Sequence, residues 1–124
     1  MGPLTVPSRG AAYLDAYAFI YTGERIDPYR ALLDPFWRAI RVSGSAVVTS
    51  ELTWLEVLVG PLKSGDAALE GTYRAALGTT PDVRMVPISR VVLERAAALP
   101  AAAGLKTPDA IHAATALTES CALC

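Results

Sequence analysis

Three acidic side chains stand out from the rest of the sequence by their positions: Asp15, Glu56 and Asp109. Asp15 interrupts the apolar run Ala12–Tyr21 at the point where a buried strand is predicted to end. An ionised acid in such a place is costly unless something binds it. Ligands of open α/β sheets sit at the carboxyl ends of the strands, so Asp15 is the first candidate for chemistry with a bound ligand.

The other two acids lie on predicted helices. Helical spacing places Glu56 in an apolar stripe with Leu52, Leu55 and Val59 rather than on a solvated face. Asp109 opens the last predicted helix, and the side chains that share its face are mostly small, which lets a bulky partner approach. Both positions are therefore further candidates for the same site.

Each acid also has an ordinary structural interpretation. Asp15 is suited to cap the short helix that follows it, Glu56 can reach water at the edge of its stripe, and Asp109 can interact with the helix dipole. The remaining nine of the twelve acids fall in predicted turns, caps or polar helix faces. His112, the only histidine, lies one turn beyond Asp109, and a packed, hydrogen-bonded histidine is favoured there over a general base.

Alternating strands and helices are predicted to position these acids. Short apolar runs predict buried strands at Ala12–Asp15 and at Ala46–Thr49, the second of them rich in β-branched residues, and a short third strand at Val83–Val86. Helices are predicted at residues 16–21, 51–59, 67–77, 90–99 and 107–120, with two short helices between 28 and 42. Because parallel strands need crossover connections, this order predicts an α/β fold with a short central parallel sheet flanked by helices.

The length and composition indicate a single domain. With 124 residues, of which 52% are hydrophobic, the chain is long enough to bury a substantial core. Residues 1–10 are predicted to be a flexible lead-in and residues 11–124 one domain. Only Ala122–Cys124 remain to begin a strand after the last helix, so the last strand of the sheet is expected to be lacking.

Charge and motif content exclude several classes of function. The net charge of −1 gives no basic field to attract nucleic acid, so such a partner must be held by a local patch or by metal ions. No apolar run approaches the roughly 18 residues of a membrane span, and the first residues lack the apolar core of a secretion signal. A cytoplasmic protein is expected. Glycine-rich phosphate loops, serine-hydrolase patterns and zinc-ligand spacings are absent.

Three sequence blocks carry a family resemblance: LDAYAFIY at Leu14–Tyr21, TSELTWLEVLVGPL at Thr49–Leu62 and TPDAIHAATAL at Thr107–Leu117. Their order and spacing resemble PIN-domain ribonucleases, in particular the VapC-type toxins of toxin–antitoxin pairs, over nearly the whole chain from Tyr13 onwards. The resemblance implies a PIN-like three-layer fold. It also implies an endoribonuclease that depends on Mg²⁺ or Mn²⁺, forms a homodimer and binds a cognate antitoxin.

By this resemblance Asp15, Glu56 and Asp109 are the first, second and third acids of the family site. Mg²⁺ and Mn²⁺ prefer oxygen ligands, and a bound ion relieves the repulsion between converging carboxylates. The resemblance thus implies that Asp15 and Asp109 are direct metal ligands, and that Glu56 either is a ligand or orients the attacking water.

Two departures from the family pattern leave other functions open. Tyr17 stands where family members usually carry Asn, Ser or Thr, and a bulky phenol there could narrow the site. The family's further acid lies on a strand after the last helix, beyond the end of this sequence. One alternative is therefore a catalytically impaired PIN-like binding and dimerisation domain, and another is a structure-specific DNA nuclease on the same scaffold.

Overall fold

The computed structural model describes residues 11–24, 29–119 and 122–123. The predicted lead-in of residues 1–10 lies outside the described residues. Within these ranges the chain forms one parallel sheet with the strand order β3-β2-β1-β4. The strands are β1 (Ala11–Tyr13), β2 (Ala46–Ser50), β3 (Val83–Val86) and β4 (Ala122–Leu123). The predicted α/β class with a short parallel sheet is thereby confirmed.

Helices connect and cover the strands. They are α1 (Ala16–Gly23), α2 (Tyr29–Ser43), α3 (Glu51–Ser64), α4 (Ala67–Gly78), α5 (Arg90–Ala103) and α6 (Thr107–Thr118). In the part of the chain that the structure describes, no helix has both the length and the apolar character needed to cross a membrane.

The helices form two layers because side chains alternate between the two faces of the sheet. Ala12 and Leu14 of the β1 segment belong to a buried cluster with side chains from α1, α2, α3 and α4. Tyr13 and Val48 point to the opposite face and pack with Ala116 of α6. Helix α6 in turn packs against α5. The result is the predicted three-layer arrangement of helices, sheet and helices.

One long helix replaces the two short helices predicted between residues 28 and 42. Helix α2 continues through Pro35, although a proline in a helix removes a hydrogen bond and clashes with the preceding turn. Leu33, Phe36 and Ile40 are spaced to share one face, and each is at most 2% exposed. Burial of these three side chains stabilises the helix by more than the proline costs it.

Helix α3 is also longer than predicted and is rotated relative to the sequence-based assignment. It passes through Pro61 and ends at Gly65, whose φ of 72° fits a glycine terminus. Its buried side includes Thr53 and Val57, whereas the predicted apolar stripe with Leu55 and Val59 faces outward. The stripe assignment around Glu56 was therefore wrong as a description of the core, because the row containing Thr53 and Val57 is the one that packs inward.

A strand follows α6 at Ala122–Leu123, where the sequence was expected to lack the last strand of the sheet. Ala122 and Leu123 pair in parallel with Ala12 and Tyr13 as the edge of the sheet. The sheet thus has a fourth strand of two residues in the described part of the chain. It lies beside β1, the strand that leads to Asp15.

Candidate active site

Asp15 lies at the carboxyl end of β1, where the chain turns into α1. Its side-chain Oδ1 accepts a hydrogen bond from the backbone N–H of Tyr17 at 3.1 Å, which makes it the N-cap of the helix. The carboxylate is only partly buried. Asp15 therefore has the capping role considered from the sequence, and its second oxygen makes no hydrogen bond within the described residues. That oxygen is available to a ligand.

The neighbouring strand is fastened to this edge by buried threonines. The Thr49 hydroxyl donates to the backbone carbonyl of Leu14 at 2.7 Å and lies 2.7 Å from the Thr53 hydroxyl. Both threonines are fully buried. Ser50 caps α3 by accepting from the Leu52 N–H. These contacts fix the start of α3, and with it Glu56, relative to the residue before Asp15.

Glu56 is held by a histidine from the opposite layer. His112 Nε2 lies 2.6 Å from Glu56 Oε1, and His112 Nδ1 lies 2.5 Å from the Tyr13 hydroxyl. Tyr13 and His112 are 2% and 8% exposed. His112 is thus the packed, hydrogen-bonded histidine that the sequence favoured, and it connects β1, α3 and α6.

The Tyr13 hydroxyl is held in its neutral form. Burial raises the pKa of Tyr13, and the nearby polar groups of the Ser50 backbone, Thr115 and Thr49 lower it in part. The negative charge of Asp15 raises the pKa of Tyr13 further.

Asp109 stands in the first turn of α6, one turn before His112. The helix begins with Lys106 as N-cap, so Thr107 is its first residue, and it has Pro108 in its first turn. The Asp109 side chain is exposed and near the positive end of the helix dipole. Asp109 and His112 are three residues apart and share one helix face.

The structure brings the end of β1, α3 and α6 together, but the three carboxylates do not form a metal site. The sequence predicted that the carboxylates of Asp15, Glu56 and Asp109 lie within a few ångströms of each other. In residues 11–24, 29–119 and 122–123, no three His, Cys, Asp or Glu side chains are grouped closely enough to hold an ion. Two of the carboxylates are turned to local partners, because Asp15 caps α1 and Glu56 binds His112.

The donor set nevertheless fits a hard divalent cation in its chemistry. The three side chains are carboxylates, the oxygen donors that Mg²⁺ and Mn²⁺ prefer over sulfur or imidazole. Each is partly or fully exposed. Glu56 uses Oε1 for His112 and makes no hydrogen bond through Oε2 among the described residues. The assignment of Asp15, Glu56 and Asp109 to one metal centre stays a prediction.

The Tyr17 side chain lies at the surface of the protein. Its side chain is 61% exposed and stacks on Tyr21, with the ring centroids 6.1 Å apart and the ring planes at 29°. The concern raised by the sequence was that this phenol narrows the site. The structure instead places this phenol at the surface, where it stacks on Tyr21 one helical turn further along α1.

Tyr13 is the site residue that sequence reasoning missed. It was interpreted only as part of a buried strand, although a buried tyrosine requires a partner for its hydroxyl. The single histidine of the chain is that partner, 99 residues away in the sequence. The requirement for a partner was visible in the sequence, but its identity was not, because it depends on how α6 packs on the sheet.

The chain matches the family model described as PIN domain over residues 12–123. A comparison with curated proteins gives no significant match. Among solved structures, a chain from a toxin–antitoxin complex of Klebsiella pneumoniae is 28% identical, with a TM-score of 0.68; the match covers 92% of this chain and 83% of that one.

Two further solved structures are similar in fold at lower identity. Mycobacterium tuberculosis VapC20, described as a sarcin–ricin loop cleaving toxin, is 15% identical with a TM-score of 0.71, covering 89% of this chain and 84% of that one. VapBC2 from Rickettsia felis, bound to a DNA fragment from its promoter, contains a chain that is 13% identical with a TM-score of 0.64. That match covers 91% of this chain and 84% of the other.

Proposed function

Because the chain belongs to the PIN domain family of nucleases, we propose that it is an endoribonuclease that depends on Mg²⁺ or Mn²⁺. Its catalytic acids and metal ligands in this proposal are Asp15, Glu56 and Asp109. The observation that carries the assignment is the contact of His112 with both Tyr13 and Glu56. This contact joins the end of β1, the second turn of α3 and the first half of α6 at the carboxyl end of β1.

The residues of the chain have distinct roles in this mechanism. Asp15 and Asp109 would hold the ion directly, while Glu56 either shares in holding it or orients the attacking water. The N–H of Tyr17 restrains Asp15, and His112 restrains Glu56, so two of the carboxylates keep a fixed orientation as substrate binds. When bound, the divalent cation supplies Lewis acidity that acidifies water and stabilises negative charge on the phosphodiester.

Single-stranded RNA is the proposed substrate, and the surface beside Asp15 supports it. Tyr17 and Tyr21 present a stacked aromatic pair on α1, with Tyr17 well exposed to solvent. Unstacked bases of single-stranded RNA bind by stacking on such rings, whereas bases within a duplex are not available to them. A base adjacent to the scissile phosphate can therefore stack on Tyr17 while the phosphate lies at Asp15.

We further propose that the protein acts in the cytoplasm as the toxin of a type II toxin–antitoxin pair. The 28% identity to a chain from a Klebsiella pneumoniae toxin–antitoxin complex, over most of both chains, supports a cognate antitoxin protein as its partner. Inhibition by a bound protein is compatible with the exposure of the candidate site, whose acids all reach the surface.

A substrate and metal comparison tests this function. Purified chain is incubated with a single-stranded RNA, the DNA of the same sequence and a branched DNA, with Mn²⁺, with Mg²⁺ and with excess chelator. We expect internal cleavage of the RNA with either ion and none with chelator. Cleavage of branched DNA alone would instead indicate a structure-specific DNA nuclease. Binding of RNA without cleavage in any condition would indicate an impaired binding domain.

The outward stripe of α3 supports the homodimer that we propose. Leu55, Val59 and Leu62 are each about half exposed or more, and their spacing places them on one helix face. A contiguous apolar stripe on the surface of a small domain is typical of a protein–protein contact. A two-fold dimer uses the same stripe from both copies, which requires only that the stripe be self-complementary.

Val59→Glu is expected to convert the dimer to a monomer. The substitution places a charge in the middle of the stripe, and in a two-fold contact the two charges repel each other across the interface. Sedimentation equilibrium measures the resulting mass. Val42→Glu on α2 is the matched control, because Val42 is 86% exposed and lies outside α3. A dimer that survives Val59→Glu, or is equally lost with Val42→Glu, contradicts the proposed interface.

A further inference from the structure

The hydrogen bonds of His112 determine which of its ring nitrogens carries the proton. The Tyr13 hydroxyl contacts Nδ1 and Glu56 Oε1 contacts Nε2. A neutral histidine has one donor nitrogen and one acceptor nitrogen, so the role of one fixes the role of the other. A carboxylate can only accept, which requires the donor nitrogen to be Nε2.

The hydrogen bonds around Tyr13 also indicate that its hydroxyl donates to His112 Nδ1. Thr49 donates its hydroxyl proton to the Leu14 carbonyl, and Thr115 donates its own to the Ile111 carbonyl. Neither hydroxyl therefore needs the Tyr13 oxygen as an acceptor, and His112 Nδ1 is left as the acceptor for the tyrosine proton. The order of donation is then Tyr13 to His112 to Glu56.

We propose that His112 is a positioning residue for Glu56, set by Tyr13 as the Nε2–H tautomer. The inference rests on the proposed nuclease function and adds a role that the three acids alone do not supply. His112 holds Oε1 of Glu56 by a charge-assisted hydrogen bond and leaves Oε2 for an ion or a water. Partners of this kind orient metal-binding side chains, and their loss typically costs about 10–100-fold in metal affinity or activity.

Two amide substitutions separate positioning from packing. The side-chain nitrogen of Gln reaches about as far as Nε2 of histidine, whereas that of Asn reaches about as far as Nδ1. His112→Gln should therefore keep a donor to Glu56, and His112→Asn should keep only the contact with Tyr13. We expect Mn²⁺ affinity, measured by calorimetry in the absence of RNA, to fall by about 10–100-fold in His112→Asn and by much less in His112→Gln.

The rate of RNA cleavage should follow the same order. The expected loss is in kcat, because the RNA itself is not contacted by the histidine, and the rescue by Gln should be visible in kcat rather than in KM. Equal losses in the two variants, with equal midpoints of thermal unfolding, would show that His112 acts only as a packed side chain. Such a result overturns the proposal.

The wild-type protein provides a readout that needs no variant. His112 is the only histidine, so ¹⁵N labelling of histidine reports the ring nitrogens of this residue alone. We expect nuclear magnetic resonance to show a protonated Nε2 and an unprotonated Nδ1 in the ion-free protein. Tyr13→Phe should shift the Nδ1 signal toward that of a nitrogen without a hydrogen-bond donor. A protonated Nδ1 with a bare Nε2 overturns the proposal.

Failure of the proposed function gives a different pattern. If wild-type chain cleaves no RNA, while the Nε2–H tautomer is present and Mn²⁺ affinity separates the Gln and Asn variants, the positioning role stands and the nuclease assignment fails. If wild-type chain cleaves RNA and the two variants are equal in Mn²⁺ affinity and in kcat, the nuclease assignment stands and the positioning role fails.

Discussion

Asp15→Asn should reduce the rate of RNA cleavage by at least about 100-fold without unfolding the protein. Loss of one preorganised electrostatic group at a reacting centre typically costs about 10²–10³ in kcat. Asn is as good an N-cap as Asp, so the hydrogen bond from the Tyr17 N–H is kept while the negative charge is lost. The measurement is a single-turnover cleavage assay with Mn²⁺, accompanied by thermal unfolding of each protein.

A second capping aspartate of the same chain provides the control. Asp66 caps α4 by accepting from the Leu69 N–H at 3.0 Å, and it is exposed. Asp66→Asn makes the same chemical change in the same capping role on a different helix, and it should leave cleavage unchanged. Full activity of Asp15→Asn, or an equal loss in Asp66→Asn, would show that Asp15 is a cap without a catalytic part.

The prediction of the fold from sequence succeeded where a pattern is local. Short β-branched runs identified β2 and β3. Strand β2 is buried on both faces and shows as a continuous apolar segment, whereas β3 lies at the edge of the sheet and has Arg84 exposed. Pro35 was expected to begin a short helix and Gly60-Pro61 to end or bend the helix that starts at Glu51, yet both prolines lie inside helices. The free-energy cost of a proline inside a helix is a local effect that the sequence shows. The burial of Phe36 and Ile40, which stabilises α2 by more than this cost, depends on the tertiary structure.

The candidate site was predictable in its residue types and only partly in its geometry. Asp15 could be placed because strand ends and helix caps are short-range features. The partner of Glu56 could not, because His112 reaches it across 56 residues of sequence through the packing of α6 against the sheet. The outward rotation of Leu55 and Val59 has the same origin, since periodicity defines a helix face but not the direction in which it points.

The attachment of α1 to the rest of the domain depends on Tyr73 of α4. The Tyr73 ring is 1% exposed and packs so closely on α1 that a Cβ atom at Gly23 would lie 2.6 Å from its Cε1. Its hydroxyl donates to Glu24 Oε2 at 2.7 Å. Burial and the neighbouring Glu24 carboxylate raise the pKa of Tyr73, so the hydroxyl remains a donor. Asp15 caps this same helix, and its position therefore depends on the contact.

Tyr73→Ala should lower the free energy of unfolding by about 3–5 kcal/mol, the usual cost of removing a large buried aromatic ring. That is a large part of the roughly 5–15 kcal/mol that stabilises a typical domain. Tyr73→Phe keeps the ring and removes the hydrogen bond to the exposed Glu24 together with the long one, 3.5 Å, to the Ile20 carbonyl, so it should cost about 1 kcal/mol. Urea denaturation at one fixed protein concentration measures both values.

Tyr17→Ala makes the same truncation on the surface of α1 and serves as the control. Because Tyr17 is 61% exposed, its loss should change the free energy of unfolding by no more than about 0.5 kcal/mol. If Tyr73→Ala proves no more costly than Tyr17→Ala, the ring does not hold α1 on the core. The close approach at Gly23 then has no part in fixing the helix that Asp15 begins.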